Sequence, residues 1–554
     1  MKVFVNGRDP VSLTRSDFVG AGGQADVYAR GDIAYKVFTD PAGIVPETKR
    51  RELSALSDPP FMVPSDMLTD GANIIGHTMR YLPNATPLCA MFPRAFRERN
   101  GMTPQQVFCL VEQLRDGVAT AHKAGICIVD LNPMNVLLTE DLSEVAFIDV
   151  DSHQTPSFPA TALQDAVRDR HAPPGVFTQE TDWFSFAVVA FQMLIGIHPF
   201  KGKHPTVKGM DERMKQGISV LHPDVKIPKV CFPFDVIPAD WRSWFEDVFH
   251  RHKRASPPVG AGILIPMRTR STMMPSSKLK IAHVADIGAP LSAFAAHGGS
   301  WTAVAAGQIW LDGRVVGQVS AGPVAIGFCS AGKPVVASLQ NGAVRLWDVN
   351  RHRSIPLMLT AAQIAGHGGR ILVRSGDQVL ELVLHSTQDR IVATSRSLGT
   401  VLPHASRLLD GLVVQNLLGA AWLTISPQPG RSHPVRIPQL DGHQILSGHL
   451  SGSVVMLLTE RDGDYNRILI RFNNSFSKYD LEIEPDVIPQ DPVFICLPSG
   501  VLVTLIEDGR LRLTRGSSSR DVVDPAIAAE MKLYADGGTL LGASGGQLYT
   551  LRMA

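Results

Sequence analysis

The chain has 554 residues, of which 44% are hydrophobic and 19% are charged, and its formal net charge is +1. This length exceeds what one hydrophobic core normally organises, so we expect two or three domains. The apolar content excludes a disordered chain, and the balanced charge gives no strong attraction to nucleic acid or to an anionic membrane.

A glycine-rich turn is the first distinctive element. The segment VGAGGQADVY, residues 19–28, places Gly20, Gly22 and Gly23 between two strand-like segments, and Lys36 lies in the next strand-like segment, AYKVF. Glycine has no side chain to keep phosphate oxygens away from backbone amides, and a lysine adds positive charge. A glycine-rich hairpin with a purely structural role is the alternative interpretation.

A helix and a strand follow this turn. In TKRRELSAL, the residues Glu52, Leu53 and Leu56 have helical spacing, so a glutamate on the inner face of the helix can pair with Lys36. A surface position for that glutamate is the alternative. The segment HTMRYLP predicts an edge strand over Met79–Leu82 that leads into a hinge.

A longer helix is predicted directly before the most polar motif. The segment that begins PQQVF has apolar residues on one helical face and ends at Gly125; these residues are Val107, Phe108, Val111, Leu114 and Val118. The motif ICIVDLNPMNVLL follows, with Asp130 and Asn135 five positions apart. The segment VAFIDVDSH then places Asp149 and Asp151 after an apolar strand.

Residues 183–195 form the most apolar run in this region. Ser185 and Gln192 interrupt the run, and it is shorter than the roughly 20 residues of a membrane-spanning helix, so we expect a buried core helix. Residues 1–13 have no long apolar segment, and the six cysteines show no CxxC pair. These features predict a cytoplasmic protein with reduced thiols and no membrane span.

The composition changes after residue 250. The stretch that begins RHKRASPPVG is rich in proline, serine, threonine and basic residues, which is typical of a flexible linker, here over residues 256–279. The basic residues could instead form a patch for nucleic acid or lipid, but no aromatic residue is interleaved to stack on bases. We therefore expect no nucleic-acid partner.

A repeating pattern begins near residue 280. A turn followed by an apolar strand, and then by a second alternating strand, recurs seven times at intervals of roughly 34 to 47 residues. This period is typical of propeller blades with four short strands, so we predict an all-β propeller with seven blades over residues 280–554. Six or eight blades, or two consecutive β-sandwiches, are the alternatives.

The last repeat ends too early to supply its own outermost strand. Residues 280–287 have the alternation needed for that strand, so we expect them to pair with the final blade and remove two exposed sheet edges. The segment LWDV, Leu346–Val349, resembles the WD-repeat propeller family, although the Trp-Asp pair occurs once. This resemblance supports the fold and leaves the ligand open.

The ordered motifs of the first half resemble the protein kinase superfamily. GAGGQADV is similar to the glycine-rich loop, Lys36 to the strand lysine and Glu52 to its helix partner. Asp130 and Asn135 stand where the family has its catalytic-loop aspartate and asparagine. Asp149 stands where the family has the metal-binding aspartate of its DFG element.

Later segments continue the resemblance in the same order. HAPPG resembles the end of the activation segment, and TDWFSFAVVAFQML resembles the buried helix whose aspartate, here Asp182, braces the catalytic loop. The resemblance implies a bilobal α+β protein-kinase-like domain over residues 1–255. Its small lobe is expected over about residues 1–82 and its large lobe over about residues 83–255.

The resemblance also implies roles for individual residues. Asp130 would orient the acceptor hydroxyl and accept its proton, and Lys36, held by Glu52, would bind the α- and β-phosphates of ATP. Asn135 and Asp149 would bind Mg²⁺, or Mn²⁺, because hard cations prefer oxygen ligands. The expected nucleotide contacts beside Lys36 are Gly20, Gly22, Gly23, Val27, Glu52, Met79 and Tyr81.

Several positions depart from the family pattern. Ile128 and Val129 replace the usual His-Arg pair, which removes the usual partner of a phosphorylated activation loop. Asn132 replaces a lysine that neutralises the transferred phosphoryl group. Asp151 replaces the glycine of DFG, as a further metal ligand or as a capping residue, and Gly175 replaces the glutamate that usually ends the activation segment.

The retained polar residues favour an active enzyme. We therefore predict an ATP- and Mg²⁺-dependent Ser/Thr protein kinase of bacterial type, whose propeller binds protein substrates or regulators. The departures favour an alternative, a nucleotide-binding pseudokinase that acts as a scaffold. A small-molecule phosphotransferase on the same fold is a further alternative.

Overall fold

The protein forms two compact units in a computed structural model that describes residues 1–553 apart from six segments. The residues outside the description are Gly23, 57–58, 161–162, 260–278, Ala321 and Ser517. Most of the predicted linker, residues 256–279, therefore lies outside the described residues. The first unit comprises Met1–Pro93, Thr103–Pro266 and Arg461–Asp464, and the second comprises Arg94–Met102, Met267–Glu460 and Tyr465–Ala554.

The described part of the chain contains six α-helices. They are α1 (Glu47–Leu53), α2 (Arg94–Arg99), α3 (Pro104–Lys123), α4 (Gln179–Ile195), α5 (Met210–Gln216) and α6 (Ala239–His250). At the start of α3, the Thr103 hydroxyl accepts the Gln106 N–H and the Gln106 side chain accepts the Thr103 N–H. Helix α4 ends at Gly196, whose φ of 81° favours glycine. None of these described helices is long and apolar enough to cross a membrane.

Ten strands precede residue 150 and form two antiparallel sheets. They are β1 (Lys2–Val5), β2 (Asp9–Ser12), β3 (Phe18–Ala21), β4 (Ala25–Arg30), β5 (Ile33–Phe38), β6 (Met67–Thr69), β7 (Ile74–Arg80), β8 (Thr86–Pro87), β9 (Val136–Leu138) and β10 (Val145–Phe147). The larger sheet has the order β2-β1-β6-β7-β5-β4-β3, and the smaller has the order β10-β9-β8. Strand β5 therefore carries Lys36 between β4 and β7.

Helices α3, α4 and α6 supply much of the core of the first unit. The five apolar residues predicted on one face of α3 are buried, and so is every residue of α4 from Asp182 onward. In α4, Phe186 and Phe191 pack against Trp241 and Phe245 of α6, with ring centroids 6.2 and 5.3 Å apart. The prediction of a buried helix over residues 183–195 is confirmed.

The second unit consists mainly of seven four-stranded antiparallel sheets. Their strands are β11 (Leu279–Asp286), β12 (Leu291–His297), β13 (Ser300–Ala305), β14 (Gln308–Leu311), β15 (Arg314–Gln318), β16 (Val324–Phe328), β17 (Pro334–Gln340), β18 (Ala343–Asp348), β19 (Arg353–Ile355), β20 (Gln363–His367), β21 (Arg370–Ser375), β22 (Gln378–Ser386), β23 (Ile391–Thr400), β24 (Ser406–Leu409), β25 (Leu412–Leu417), β26 (Ala420–Ile425), β27 (His433–Arg436), β28 (Gln444–Ser451), β29 (Val454–Arg461), β30 (Asp464–Phe472), β31 (Tyr479–Glu484), β32 (Phe494–Cys496), β33 (Leu502–Ile506), β34 (Arg510–Arg515), β35 (Ser518–Val523), β36 (Lys532–Asp536), β37 (Thr539–Ser544) and β38 (Gln547–Met553). Six sheets use four consecutive strands, and the seventh has the order β11-β38-β37-β36.

The seven sheets contact one another in a closed order. Contacts connect β12, β16, β20, β24, β28, β32 and β36 in series, and β36 also contacts β12. Strand β11 completes the last sheet, because it pairs antiparallel with β38 from Leu279 opposite Met553 to Asp286 opposite Gln547. The predicted pairing of residues 280–287 with the final repeat is therefore confirmed.

Candidate active site

Asp130 lies in the loop between α3 and β9, where three hydrogen bonds hold its carboxylate. Oδ2 accepts from the side-chain amides of Asn132 at 2.9 Å and Asn135 at 3.0 Å. Oδ1 accepts from the backbone N–H of Gln164 at 2.6 Å. Asn132, at the position where the resemblance leads us to expect a lysine, therefore orients Asp130.

Asp182, a residue of α4, holds this loop through hydrogen bonds. Its buried carboxylate accepts the N–H of Ile128 at 2.7 Å and the N–H of Val129 at 2.8 Å, and His122 Nε2 lies 3.0 Å from Oδ2. Val129 has a φ of 66°, a left-handed conformation that a β-branched residue rarely adopts. The bonds from Asp182 therefore hold a strained backbone directly before Asp130, which agrees with the bracing role implied by the resemblance.

The hairpin of β9 and β10 brings Asn135 close to Asp149. Val136 in β9 lies opposite Phe147 in β10, and the N–H of Ile148 donates to the carbonyl oxygen of Asn135 at 2.9 Å. Asn135 and Asp149 therefore flank the same end of one hairpin, as the predicted metal site requires.

Lys36 links the larger sheet to the segment that follows β10. Its Nζ donates to Oδ1 of Asp149 at 2.6 Å and to both carboxylate oxygens of Asp151 at 2.8 Å. The Asp151 side chain is 10% exposed, whereas the Asp149 side chain is 42% exposed. Asp151 is thus the buried partner of Lys36, and Asp149 keeps an accessible oxygen.

Glu52 does not form the expected ion pair with Lys36. Its carboxylate accepts the backbone N–H of Ser157 at 3.2 Å instead. Lys49, one helical turn earlier in α1, donates from Nζ to the carbonyl oxygen of Asp151 at 2.7 Å. The physical reason is charge balance: two carboxylates already surround the Lys36 ammonium, so a third would be repelled there, whereas a lysine of α1 is attracted.

Burial and neighbouring charges have opposite effects on the pKa values of Lys36 and Asp151. Burial alone would lower the pKa of Lys36, but the carboxylates of Asp151 and Asp149 raise that pKa above its usual value. Burial acts to raise the pKa of Asp151, but the charge of Lys36 keeps it below its usual value. The pKa of His77 is lowered to about 4, mainly by burial, so its ring is neutral at pH 7. Lys36 and Asp151 therefore form an ionised pair.

Four of the sequence-predicted residues lie on one face of the larger sheet. Gly20 is opposite Val27, Val27 is opposite Lys36, and Met79 is opposite Ala34, two positions from Lys36 on the same strand. Directly paired residues, and residues two apart on a strand, share a face. The structure therefore brings Gly20, Val27 and Met79 to the face that carries Lys36.

The glycine-rich turn and the hinge flank this face. The N–H of Gly22 donates to the carbonyl oxygen of Ala25 at 2.8 Å, and Gly23 lies outside the described residues. A Cβ atom added at Gly20, in β3, would meet no described atom within 4 Å, whereas one added at Gly22 would contact the carbonyl oxygen of Ala25 at 3.6 Å. Tyr81 follows β7, and its N–H donates to the carbonyl oxygen of Asp32 at 2.8 Å.

The donor atoms fit a divalent cation and phosphate groups. Asn135 donates through Nδ2 to Asp130, which leaves its Oδ1 as a ligand atom, and Asp149 has an accessible carboxylate oxygen. Mg²⁺ is commonly bound by a few such oxygens while phosphate and water fill its other positions. Lys36, which contacts Asp149, adds a positive charge to this group.

Sequence reasoning missed three residues of this site. Lys49 precedes Glu52 by three residues, so helical periodicity places both on one side of α1 and was a usable signal. His77 lies opposite Lys36 through the pairing of β5 with β7, which residue types do not specify. Gln164 acts through its backbone N–H, which leaves no signal in the side-chain pattern.

A separate group of ligand-type side chains is unsuited to a metal. The donor atoms of His204, His222 and Asp224 lie within 4.8 Å of one another. However, Nδ1 of His204 accepts the N–H groups of Thr206 and Val207, and Nδ1 of His222 accepts the N–H of Asp224. A ring that keeps these bonds has its Nδ1 lone pair occupied and does not offer it to a metal.

Comparisons with known proteins reveal partial similarity to kinases. No protein-family model matches the chain. The serine/threonine-protein kinase PknL of Mycobacterium tuberculosis is 29% identical over 117 residues, which cover 19% of this chain and 28% of PknL. The serine/threonine-protein kinase PkaB of Streptomyces coelicolor is 26% identical over 179 residues, which cover 28% of this chain and 40% of PkaB. The chain thus spans less than half the length of these curated relatives, and part of it is similar to bacterial Ser/Thr protein kinases.

Proposed function

We propose that the chain is an ATP- and Mg²⁺-dependent phosphotransferase that modifies serine or threonine hydroxyls of proteins. The observation that carries this proposal is one connected group of polar residues. Asn135 bonds to Asp130, adjoins Asp149 through the hairpin, and Lys36 contacts Asp149. The partial similarity to bacterial Ser/Thr protein kinases supports the same reaction.

Each of these side chains has a task in the proposed reaction. Asp130 orients the acceptor hydroxyl and accepts its proton as the new bond from that oxygen to the γ-phosphorus forms. The bond between the γ-phosphorus and the bridging oxygen of the β-phosphate breaks, and the products are ADP and a phosphorylated protein. Lys36 binds the α- and β-phosphates. Asn135 and Asp149 hold Mg²⁺, which neutralises negative charge on the phosphate groups.

The nucleotide is proposed to lie on the face of the larger sheet that carries Lys36. Gly20, Val27 and Met79 share that face, and Gly22 and Tyr81 flank it; Gly23 lies outside the described residues. Backbone amides in a glycine-rich turn approach phosphate oxygens closely, and the open space around Gly20 permits this. Glu52 is left out of this surface because its carboxylate bonds to Ser157.

We extend the proposal to the architecture and to the partners. Residues 1–255 are proposed as a bilobal protein-kinase-like domain, and residues 280–554 as a seven-bladed β-propeller joined to it by the linker. The seven sheets and their closed order of contacts support the propeller. Its loops are proposed to bind protein substrates or regulators in the cytoplasm, where the six free cysteines would stay reduced.

One observation favours a second candidate, a nucleotide-binding scaffold without transfer activity. The N–H of Gln164 donates to Oδ1 of Asp130 at 2.6 Å, and two asparagine amides occupy Oδ2. These three bonds leave Asp130 one acceptor position, on Oδ1, where the backbone of Gln164 already lies, so we propose that the Gln164 bond must open to admit the acceptor hydroxyl. A chain that keeps all three would bind ATP and leave the acceptor unmodified.

The first experiment measures the intact mass of the purified chain before and after incubation with Mg²⁺ and ATP. The wild-type chain is expected to gain phosphate, and Asp149→Ala is expected to gain none, because the variant lacks a proposed metal ligand. Asp235→Ala is the matched control, since Asp235 is an exposed aspartate on a short 3-10 helix, Phe234–Val236. Peptide mapping then identifies the modified side chains.

The outcomes separate the candidates. Phosphate on serine or threonine in the wild type and in the control supports the proposed function. No mass gain, together with ATP binding in a calorimetric titration, favours the scaffold. No mass gain and no ATP binding would contradict both candidates.

A further inference from the structure

We infer that Asp151, rather than Glu52, is the positioning residue that holds Lys36, and that Lys49 of α1 secures Asp151. This inference rests on the proposed phosphotransferase function. It moves the counter-ion of the phosphate-binding lysine from α1 to the segment that also carries Asp149.

The two carboxylates around Lys36 differ in contact and in exposure. Asp151 receives hydrogen bonds from Lys36 Nζ on both oxygens, whereas Asp149 receives one on Oδ1. The Asp151 side chain is 10% exposed and that of Asp149 is 42% exposed. The buried, bidentate partner suits a permanent counter-ion, and the exposed one suits a metal ligand.

Charge balance requires this division of tasks. If Asp149 were the sole partner of Lys36, binding a divalent cation would bring two positive groups to one carboxylate. With Asp151 in place, Lys36 keeps a negative partner when Asp149 turns to the cation, so the ammonium stays beside the phosphates without an added repulsion.

Local structure fixes Asp151 relative to Asp149. The two residues lie at the start of a 3-10 helix, Val150–Ser152, and the carbonyl oxygen of Asp149 accepts the N–H of Ser152 at 3.0 Å and its hydroxyl at 2.8 Å. Asp149 has a φ of 57°, which turns the chain sharply between the hairpin and this helix. The short helix therefore keeps both carboxylates close to Lys36.

Two side chains of helix α1 form hydrogen bonds to the segment that carries Asp151. The buried Lys49 donates to the carbonyl oxygen of Asp151 at 2.7 Å, and Glu52 accepts the N–H of Ser157 at 3.2 Å. Both bonds go to the backbone of the segment. Helix α1 therefore acts on Lys36 through Asp151, and the Glu52 carboxylate has no direct contact with the ammonium.

The first test is a pair of double-mutant cycles on the thermal stability of the full chain. The main cycle combines Lys36→Met with Asp151→Asn, and the matched cycle combines Lys36→Met with Glu52→Gln. Lys36→Met leaves the buried Asp151 carboxylate without its partner, and Asp151→Asn leaves the Lys36 ammonium with only the more exposed Asp149. Each change should therefore lower Tm by about 5 °C or more, and the double variant by less than the sum. The matched cycle should be additive, and additivity in the main cycle would overturn the inference.

The second test separates a positioning residue from a metal ligand in the transfer reaction. Asp151→Asn should lower kcat about 100-fold at saturating ATP and Mg²⁺, because Lys36 is displaced from the phosphates. It should leave the Mg²⁺ concentration for half-maximal rate within about threefold, whereas Asp149→Asn should raise it at least about tenfold. Glu52→Gln keeps an oxygen that can accept the Ser157 N–H and removes only the charge that an ion pair with Lys36 would need, so it should keep kcat within about threefold. A shift in the Mg²⁺ requirement of Asp151→Asn that equals that of Asp149→Asn would overturn the positioning role.

A milder variant covers the case in which Asp151→Asn does not fold. Lys49→Met keeps the pair of Lys36 and Asp151 but removes the bond to the Asp151 carbonyl and one positive charge beside Asp151 and Asp149. We expect kcat to fall about tenfold, with the Mg²⁺ concentration for half-maximal rate within about threefold. An unchanged kcat would contradict the role of Lys49. If the wild-type chain transfers no phosphate, the proposed function fails, and the stability cycles still decide whether Asp151 holds Lys36.

Discussion

At the scale of single residues, His198 shows how neighbours fix a protonation state. Its Nε2 donates to the carbonyl oxygen of Ala166 at 3.0 Å, and its Nδ1 accepts the N–H of Phe200 at 3.2 Å. The neutral ring therefore uses both nitrogens in hydrogen bonds, one as a donor and one as an acceptor. Burial lowers the pKa of His198 to about 3, and although the bond to Ala166 opposes this, the charges of Lys201 and Arg213 add to it.

This neutral ring should make the first unit less stable in acid. His198 binds a proton below about pH 6.5 in the unfolded chain and only near pH 3 in the folded one, so its contribution is complete above pH 6.5 and is lost as the pH falls. One such histidine lowers the free energy of unfolding by about 1 kcal/mol between pH 7.5 and pH 5.5. In denaturant unfolding, His198→Gln should lose about that much less than the wild type. Equal losses would contradict this assignment.

The sequence patterns predicted the polar residues of the candidate site better than they predicted the hydrogen-bond and ion-pair partners of those residues. Lys36, Asp130, Asn135 and Asp149 were predictable because ordered motifs place them on consecutive elements, which the fold brings together. The partner of Lys36 was not predictable, since it depends on where Asp151 lies in three dimensions rather than on helical spacing in α1. The ion-pair role expected of Glu52 in α1 is therefore taken by Asp151, a residue of a different element.

At the scale of elements, helix α4 supports the loop that carries Asp130. The Asp182 carboxylate accepts two backbone N–H groups, from Ile128 and Val129, and contacts His122. Its side chain is fully buried, so water cannot replace these bonds. The strained φ of Val129 means that the loop would relax if this support were removed.

Asp182→Asn should therefore cost both stability and transfer activity. The amide keeps the size of the carboxylate but directs N–H groups at other N–H groups, so buried donors lose their acceptor, at a cost of about 3 kcal/mol. We expect a lower denaturation midpoint and at least a tenfold lower transfer rate. Glu180→Gln, an exposed change on the same helix, is the matched control and should alter neither measurement. A stable and active Asp182→Asn variant would show that the loop does not depend on α4.

Strands of the second unit were predictable because each turn signal precedes a buried alternating segment. GSWTAVA contains β13, and the segment with LWDV contains the end of β18. Turn glycines and the two-residue alternation along a strand are local signals, so they can be read from the sequence without knowledge of the whole fold. The contact of β36 with β12 was beyond such signals, because it joins elements far apart in the chain.

At the scale of the whole molecule, the second unit depends on the pairing of β11 with β38. Leu279, at the start of β11, belongs to a buried cluster that includes Val503 of β33, Leu533 of β36 and Leu551 of β38. The Leu279 side chain therefore packs between two neighbouring sheets, and its strand β11 pairs with β38, the last strand of the second unit. Loss of this pairing would expose sheet edges at β38 and β11.

Leu279→Ala should destabilise the second unit as a whole. Replacing a buried leucine by alanine costs about 2–5 kcal/mol, whereas Lys280→Ala, on the exposed opposite face of the same strand, should stay within about 0.5 kcal/mol. Denaturant unfolding measures these changes, and hydrogen exchange reports where they act. In Leu279→Ala, faster exchange should appear in residues 547–553 and extend into other sheets, because a closed circuit of sheets transmits the loss of one junction to its neighbours. Faster exchange confined to β11 would instead mean that each sheet is stable by itself and that the closure contributes little.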